Sequence, residues 1–169
     1  TNESSILPIK GIKIVYPSNA ADMKGLMKAA FYDPNPVVIF EHKGIYWSKV
    51  QGTEGAKTPE PSKDYRIPLG KARIHLSASQ DAIENGESLT IITYGMGVWW
   101  ASNAAKSFDG NVEIVDLRTL SPCDDEAIYS AVKRHGKVIV LTEETLNNSF
   151  AQAIAGRIQE HCFQSLDAP

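Results

Sequence analysis

Several short stretches of the sequence carry residue types that could do chemistry. Gly95-Met96-Gly97 follows an apolar run and opens a helical pattern, and Asp116 closes the next apolar run. Glycines at such a turn let a pyrophosphate approach a helix N-terminus, and an acid about 20 residues further on can hold ribose hydroxyls. The third glycine of that fingerprint belongs at position 100, where Trp100 stands. An indole blocks the close helix–strand packing which that glycine permits. The spacing therefore predicts a tight strand-to-helix turn, with a nucleotide-binding oxidoreductase domain as the alternative. Glu143-Glu144 follows another apolar run, at the carboxyl end where open α/β sheets place their sites. Paired acids there suit a general base or a metal ligand, but no His, Cys or third acid is near in sequence, so a solvated turn is expected. His161-Cys162 has the types of a nucleophile pair, yet neighbours on a helix point about 100° apart and cannot serve one another. His42 and His135 fall at element ends, and Trp99-Trp100 read as core or interface aromatics. Nowhere do nucleophile, base and orienting group come together.

Apolar periodicity defines the elements that must position these residues. Ile12-Lys13-Ile14-Val15-Tyr16 reads as a strand ended by Pro17, with Ser18 and Asn19 as capping oxygens and Asp22 near the positive end of a helix. Met23, Leu26, Met27 and Ala30 recur at helical spacing, which predicts a helix over 20–31. Asp33-Pro34-Asn35-Pro36 stops it, and Val37-Val38-Ile39-Phe40 follows as a continuously apolar strand. Such a βαβ unit suits a buried parallel sheet. From 48 to 68 the periodicity vanishes into a Pro- and Gly-rich linker or surface loop longer than usual. Beyond it the sequence predicts strands at 71–76, 89–94, 112–117 and 138–141, with helices between and after them. Ser121-Pro122-Cys123-Asp124 reads as a helix start, with Ser as N-cap, Pro first and Asp third. Lys133-Arg134-His135-Gly136 reads as a helix end, with basic residues at the negative pole and a left-handed glycine cap. Successive strand–helix pairs call for an α/β fold of three layers, a mostly parallel sheet with helices on both faces.

Composition narrows the function classes. The chain has 169 residues, 43% hydrophobic, with a net charge of −3. That mild acidity gives no reason to expect nucleic acid or an anionic membrane as partner. No apolar run reaches the ~20 residues of a membrane-spanning helix. The first residues have neither the basic start nor the apolar stretch of a signal peptide. Cys123 and Cys162 lie far apart without CxxC spacing, which points to a reducing compartment, read as the cytoplasm. Both termini read as cut, the first just before a βαβ unit too small to be a domain and the last without a helix stop. The chain is accordingly expected to be a fragment of a larger enzyme with no complete active site.

Several stretches resemble one family. They are Gly11-Ile12-Lys13-Ile14-Val15 with Pro17-Ser18, Ala21-Asp22-Met23-Lys24-Gly25-Leu26, and Asn35-Pro36-Val37-Val38-Ile39-Phe40-Glu41-His42. Further along come Ile67-Pro68-Leu69-Gly70-Lys71-Ala72, Asp116-Leu117-Arg118-Thr119-Leu120 with Pro122 and Asp124, and Leu166-Asp167-Ala168-Pro169. In order and spacing the chain is similar to the beta subunit of the thiamine-diphosphate-dependent first component of 2-oxo acid dehydrogenase complexes. The resemblance implies a remnant of the pyrimidine-binding domain over 1–50, a linker over 51–68, and a transketolase C-terminal-like domain over 69–169, truncated at its end. It implies a parent that decarboxylates a branched-chain 2-oxo acid (2-oxoisovalerate) or pyruvate and passes the acyl group to a lipoyl arm. The parent would be a fused chain or separate subunits. The acid that activates thiamine diphosphate and the histidine near its reactive carbon would lie upstream, and Mg²⁺ and the pyrophosphate on an alpha half. A potassium-binding loop falls on Ala30, Asp33 and Asn35, its other ligands also upstream. The implied partners are that alpha half, a second beta half and a dihydrolipoyl acyltransferase core. A non-catalytic interaction module is a further alternative.

Overall fold

The computed structural model describes residues 2–168. In chain order the elements are α1 (Glu3–Ile6), β1 (Lys13–Val15), α2 (Ala20–Phe31), β2 (Val37–Ile39), α3 (Lys43–Tyr46), β3 (Arg73–Leu76) and α4 (Gln80–Glu84). They continue with β4 (Leu89–Thr93), α5 (Met96–Ala105), β5 (Val112–Asp116), β6 (Thr119–Ser121), α6 (Asp125–His135), β7 (Val138–Val140) and α7 (Phe150–Cys162). The helices begin and end where side-chain chemistry says they should. Asn19 caps α2 by accepting the Asp22 N–H, and Ser149 caps α7 by accepting that of Gln152. Gly136 ends α6 in the left-handed conformation at φ 66°.

Two sheets form. In the first, β1 pairs parallel with β2, as the βαβ reading predicts, and antiparallel with β6 on its other side. The second has the order β3-β5-β4-β7, parallel except for β3. Helix α5 covers one face of it, where Ala101 and Ala105 meet Ile91, Val112 and Ile114. Helices α6 and α7 cover the other, where Ile128, Val132, Ile154 and Ile158 join Ile92 and Val115 in the main core. The three-layer, mostly parallel α/β architecture is therefore present, with β3 an antiparallel edge.

One local reading needs correction, and one stretch carries more structure than its composition shows. Ser121 does not cap α6; it is the last residue of β6, paired with Ile14, and the cap is Asp124, which accepts the Ala127 N–H. Sequence periodicity cannot see β6, because its three residues are specified by a partner strand more than a hundred residues away. The 48–68 stretch is also more than a tether. It holds a 3₁₀ turn at Glu54–Ala56, and Ala56 packs with Met96 and Trp99.

Strand β7 closes the second sheet with an apolar edge. Ile139 is 49% exposed, and a cavity of about 550 Å³ runs beside Val138 and Val140 under α7. An uncovered apolar edge is a template for pairing with another chain. The chain is expected to self-associate as concentration rises, and Ile139→Lys to suppress this without lowering the melting temperature. Sedimentation velocity checks the first outcome and calorimetry the second.

Candidate functional site

The most heavily built polar site is the place where the chain crosses from one sheet to the other. Strand β5 ends at Asp116 and β6 begins at Thr119, so at this crossing only Leu117 and Arg118 lie between the two sheets. Arg118 holds a left-handed φ of 57°, a conformation that costs a residue with a Cβ. Its carbonyl accepts the Tyr16 N–H at 2.8 Å, at the end of β1. Its guanidinium donates to the Lys71 carbonyl at 2.9 Å and the Ala72 carbonyl at 3.1 Å, and lies 3.7 Å from Asp22. The strained turn is thus over-determined by its bonds.

Around it two buried acids meet two arginines. Asp116, fully buried, accepts the Ser18 hydroxyl at 2.5 Å and Arg73 Nη2 at 3.2 Å. Asp22, 2% exposed, faces Arg73 at 3.4 Å and accepts Asn19 Nδ2 at 2.9 Å. Burial pushes the Asp116 carboxyl up to about 6, against the Ser18 hydroxyl and the two arginines, which pull it down. Trp99 adds a tie by donating from its indole to the Ser18 carbonyl at 2.8 Å. Breaking a buried pair leaves an uncompensated charge, so Arg118→Ala is expected to destabilise the chain by about 3 kcal/mol. Urea unfolding at pH 7.5 measures this.

This arrangement settles the chemistry of Gly95, Gly97 and Asp116. The acid that would hold a ribose is closed off within the crossing. A Cβ on Gly95, whose φ is 55°, would come within 2.8 Å of the Tyr16 ring. One on Gly97 would lie 2.0 Å from Thr93 Oγ1. These glycines make room for the protein's own side chains.

The crevice at the carboxyl ends of β4 and β7, where strand order reverses, is where such sheets bind ligands. Here the first fifty residues fill it. Tyr16 stacks on Phe40 at 5.4 Å and against Tyr94 at 5.3 Å. His42 Nδ1 accepts the Gly44 N–H at 3.1 Å, which leaves Nε2 to donate to Glu143 at 3.0 Å. Glu144 accepts the Ser4 N–H at 2.9 Å, the Ser4 hydroxyl at 2.6 Å and the Phe150 N–H at 2.7 Å. Burial raises the Glu144 carboxyl, but these bonds outweigh it and hold the group low. The paired glutamates are fasteners and not a solvated turn. Both nitrogens of His42 are engaged, so it is not free to act as a base beside Glu143.

Ala30, Asp33 and Asn35 come together in one turn after α2. The Ala30 carbonyl accepts the Asp33 N–H at 3.2 Å. Asp33 accepts Lys13 Nζ at 2.5 Å, and its other oxygen takes the Asn35 N–H at 2.9 Å and Asn35 Nδ2 at 3.1 Å. The bond from Lys13, then that from the Asn35 backbone, lowers this carboxyl. Its carboxylate is thus engaged within the chain, and what the turn still offers a cation is main-chain carbonyl oxygen and the Asn35 side-chain oxygen. Among the described residues no group of three or more His, Cys, Asp and Glu side chains is arranged to hold a metal ion. His161 and Cys162 diverge, the first exposed and the second buried.

Sequence reasoning on residue types missed Ser18, Asp22, Arg73 and Arg118 as one cluster. The available signal was a run of charged and small polar residues at strand ends, and Ser18 stands 98 positions from Asp116.

Known proteins similar to the chain fall in one group. The model of the family "Transketolase, C-terminal domain" matches residues 80–169. The chain is 43% identical over 162 residues to the 2-oxoisovalerate dehydrogenase subunit beta of Bacillus subtilis, covering 94% of this chain and 45% of that protein. It is 37% identical over 164 residues to the pyruvate dehydrogenase E1 component subunit beta of Rhizobium meliloti, covering 95% and 32%. The chain thus spans less than half the length of these relatives. Among solved structures, a split gene transketolase described as an inactive beta4 tetramer matches in fold, with a TM-score of 0.70 at 20% identity, covering 94% of this chain and 48% of that one.

Proposed function

Because the chain belongs to the transketolase C-terminal domain family, we propose that it serves as part of the beta subunit of a thiamine-diphosphate-dependent 2-oxo acid dehydrogenase. The observation that carries this is the 43% identity to a 2-oxoisovalerate dehydrogenase subunit beta across 94% of the chain. The parent's substrates on this reading are branched-chain 2-oxo acids, named first for the 43% identical relative, or pyruvate. Residues 1–50 then belong to the pyrimidine-binding domain, 51–68 link, and 69–169 belong to the C-terminal domain. Thiamine diphosphate, when bound in the parent, supplies the carbanion chemistry of decarboxylation. This chain's own residues support it by fixing the two domains against each other at the Arg118 crossing and the His42–Glu143 tie. The alpha half carries Mg²⁺ and the pyrophosphate, and the assembly includes a second beta half and the acyltransferase core. Two free cysteines, Cys123 and Cys162, suit the reducing cytoplasm.

In the parent the turn at Ala30, Asp33 and Asn35 contributes main-chain oxygens to a potassium site. Two measurements test the reading. The 169-residue chain, given thiamine diphosphate, Mg²⁺ and 2-oxoisovalerate, is expected to release no carbon dioxide, while the full parent with its alpha half turns over; turnover by the chain alone, or none by the parent, refutes it. KCl is expected to raise the parent's melting temperature above that in NaCl of equal ionic strength, and identical curves remove the potassium site.

A further inference from the structure

The amino-terminal ends of β4 and β5 hold a buried polar group that takes no part in the sheet crossing. Ser88, just before β4, is 1% exposed, and its hydroxyl lies 2.7 Å from His135 Nδ1. His135, the last residue of α6, has a fully buried side chain, and its Nε2 stands 3.2 Å from Glu113 Oε1 on β5. That second contact is within ion-pair distance but outside good hydrogen-bond alignment. Arg134 donates to both oxygens of Glu113, at 2.8 and 3.1 Å. Nearby, Lys137 and Asp167 pair with each other at 2.7 Å on the rim.

We propose that Ser88, His135 and Glu113 form a proton-sensitive pin that fastens the carboxyl end of α6 to the sheet and weakens when His135 takes up a second proton. The residue types are those of a hydrolase triad, but the wiring is reversed, with the acid at Nε2 and the serine at Nδ1, and all three are buried. Only one neutral tautomer fits. With the proton on Nε2, the positive N–H edge lies on the side of the carboxylate and Nδ1 accepts the Ser88 hydroxyl; the other tautomer sets a lone pair beside Glu113. A second proton on Nδ1 forces the Ser88 hydroxyl to turn its hydrogen away and find another acceptor in a place closed to water. Burial disfavours the imidazolium most; Glu113 favours it, Arg134 opposes it, and the balance holds the ring below its ordinary value. The pin has a mechanical partner at the far end of α6, where Asp124 caps the helix and accepts the Ala72 N–H at 2.9 Å, beside the Arg118 crossing. The helix is a strut between the pin and the crossing.

A histidine held low in the folded state contributes stability that is complete above its unfolded value near 6.5 and is lost as pH falls below it. Burial and Arg73 hold His75 low too, and Asp116, raised by burial, acts in the opposite sense. Both are present in wild type and variant alike, so they cancel in a ratio. The test is urea unfolding of the chain and of His135→Gln from pH 8 to pH 5. The wild-type folding constant divided by the variant's is expected to be flat above pH 6.5 and to fall by up to about tenfold per pH unit below it. A ratio flat to pH 5, or one that rises on acidification, overturns the proposal. Should the variant fail to fold, the ring resonances of His135 in the unaltered chain decide. A midpoint below 6.5 supports the pin, and one at or above 6.5 overturns it.

Discussion

Two consecutive residues have to satisfy two sheets at once. Leu117 and Arg118 carry the chain from β5 into β6, and the buried polar contacts that orient the first sheet on the second gather at that step. The left-handed backbone of Arg118 redirects the strand, its carbonyl holds the end of β1, and its side chain holds the approach to β3 through Lys71 and Ala72. Asp116, one residue earlier, is drawn in by Ser18 and Arg73. A buried cluster of two acids and two arginines is a poor source of net stability, since desolvation offsets attraction. It is better suited to specifying one relative placement, because the Ser18–Asp116 bond and the contacts of Asp22 with Arg73 and Arg118 form only when the sheets sit as they do.

That placement decides what the second sheet can do. A doubly wound sheet presents a crevice where its strand order reverses, and here Tyr16, Phe40 and His42 occupy it. Glycines that spacing alone would assign to a pyrophosphate are needed for the Tyr16 ring and for Thr93. The fold keeps the form of a nucleotide-binding domain while its ligand position is taken by its own polypeptide.

Much of the fold was legible in the sequence because the elements are locally encoded. The helix over 20–31 follows from Met23, Leu26, Met27 and Ala30, and the end of α6 from Lys133-Arg134-His135-Gly136; both stand as expected. Strand β6 was not legible, since a three-residue strand has no periodicity of its own and pairs with β1 from far along the chain. The same distance hid the site. Glu143 and Glu144 look unpartnered in sequence because His42 and Ser4 lie more than a hundred positions away. Chemistry built from remote strand ends leaves no local spacing to read: spacing assigned Asp116 to a ribose, and only the family resemblance pointed to Leu117 and Arg118.

The 48–68 stretch looks like the tether between the two parts, yet its covalent continuity is the least of what joins them. Strand β6 belongs by sequence to the later part and by hydrogen bonding to the earlier sheet. The parts therefore interlock in the manner of a dovetail, the earlier sheet completed by a strand of the later part. A backbone nicked near Lys63 would leave two polypeptides that still share a sheet, so the division of such a protein into separate genes demands no new interface. Fragment complementation is, in this sense, already present in the topology.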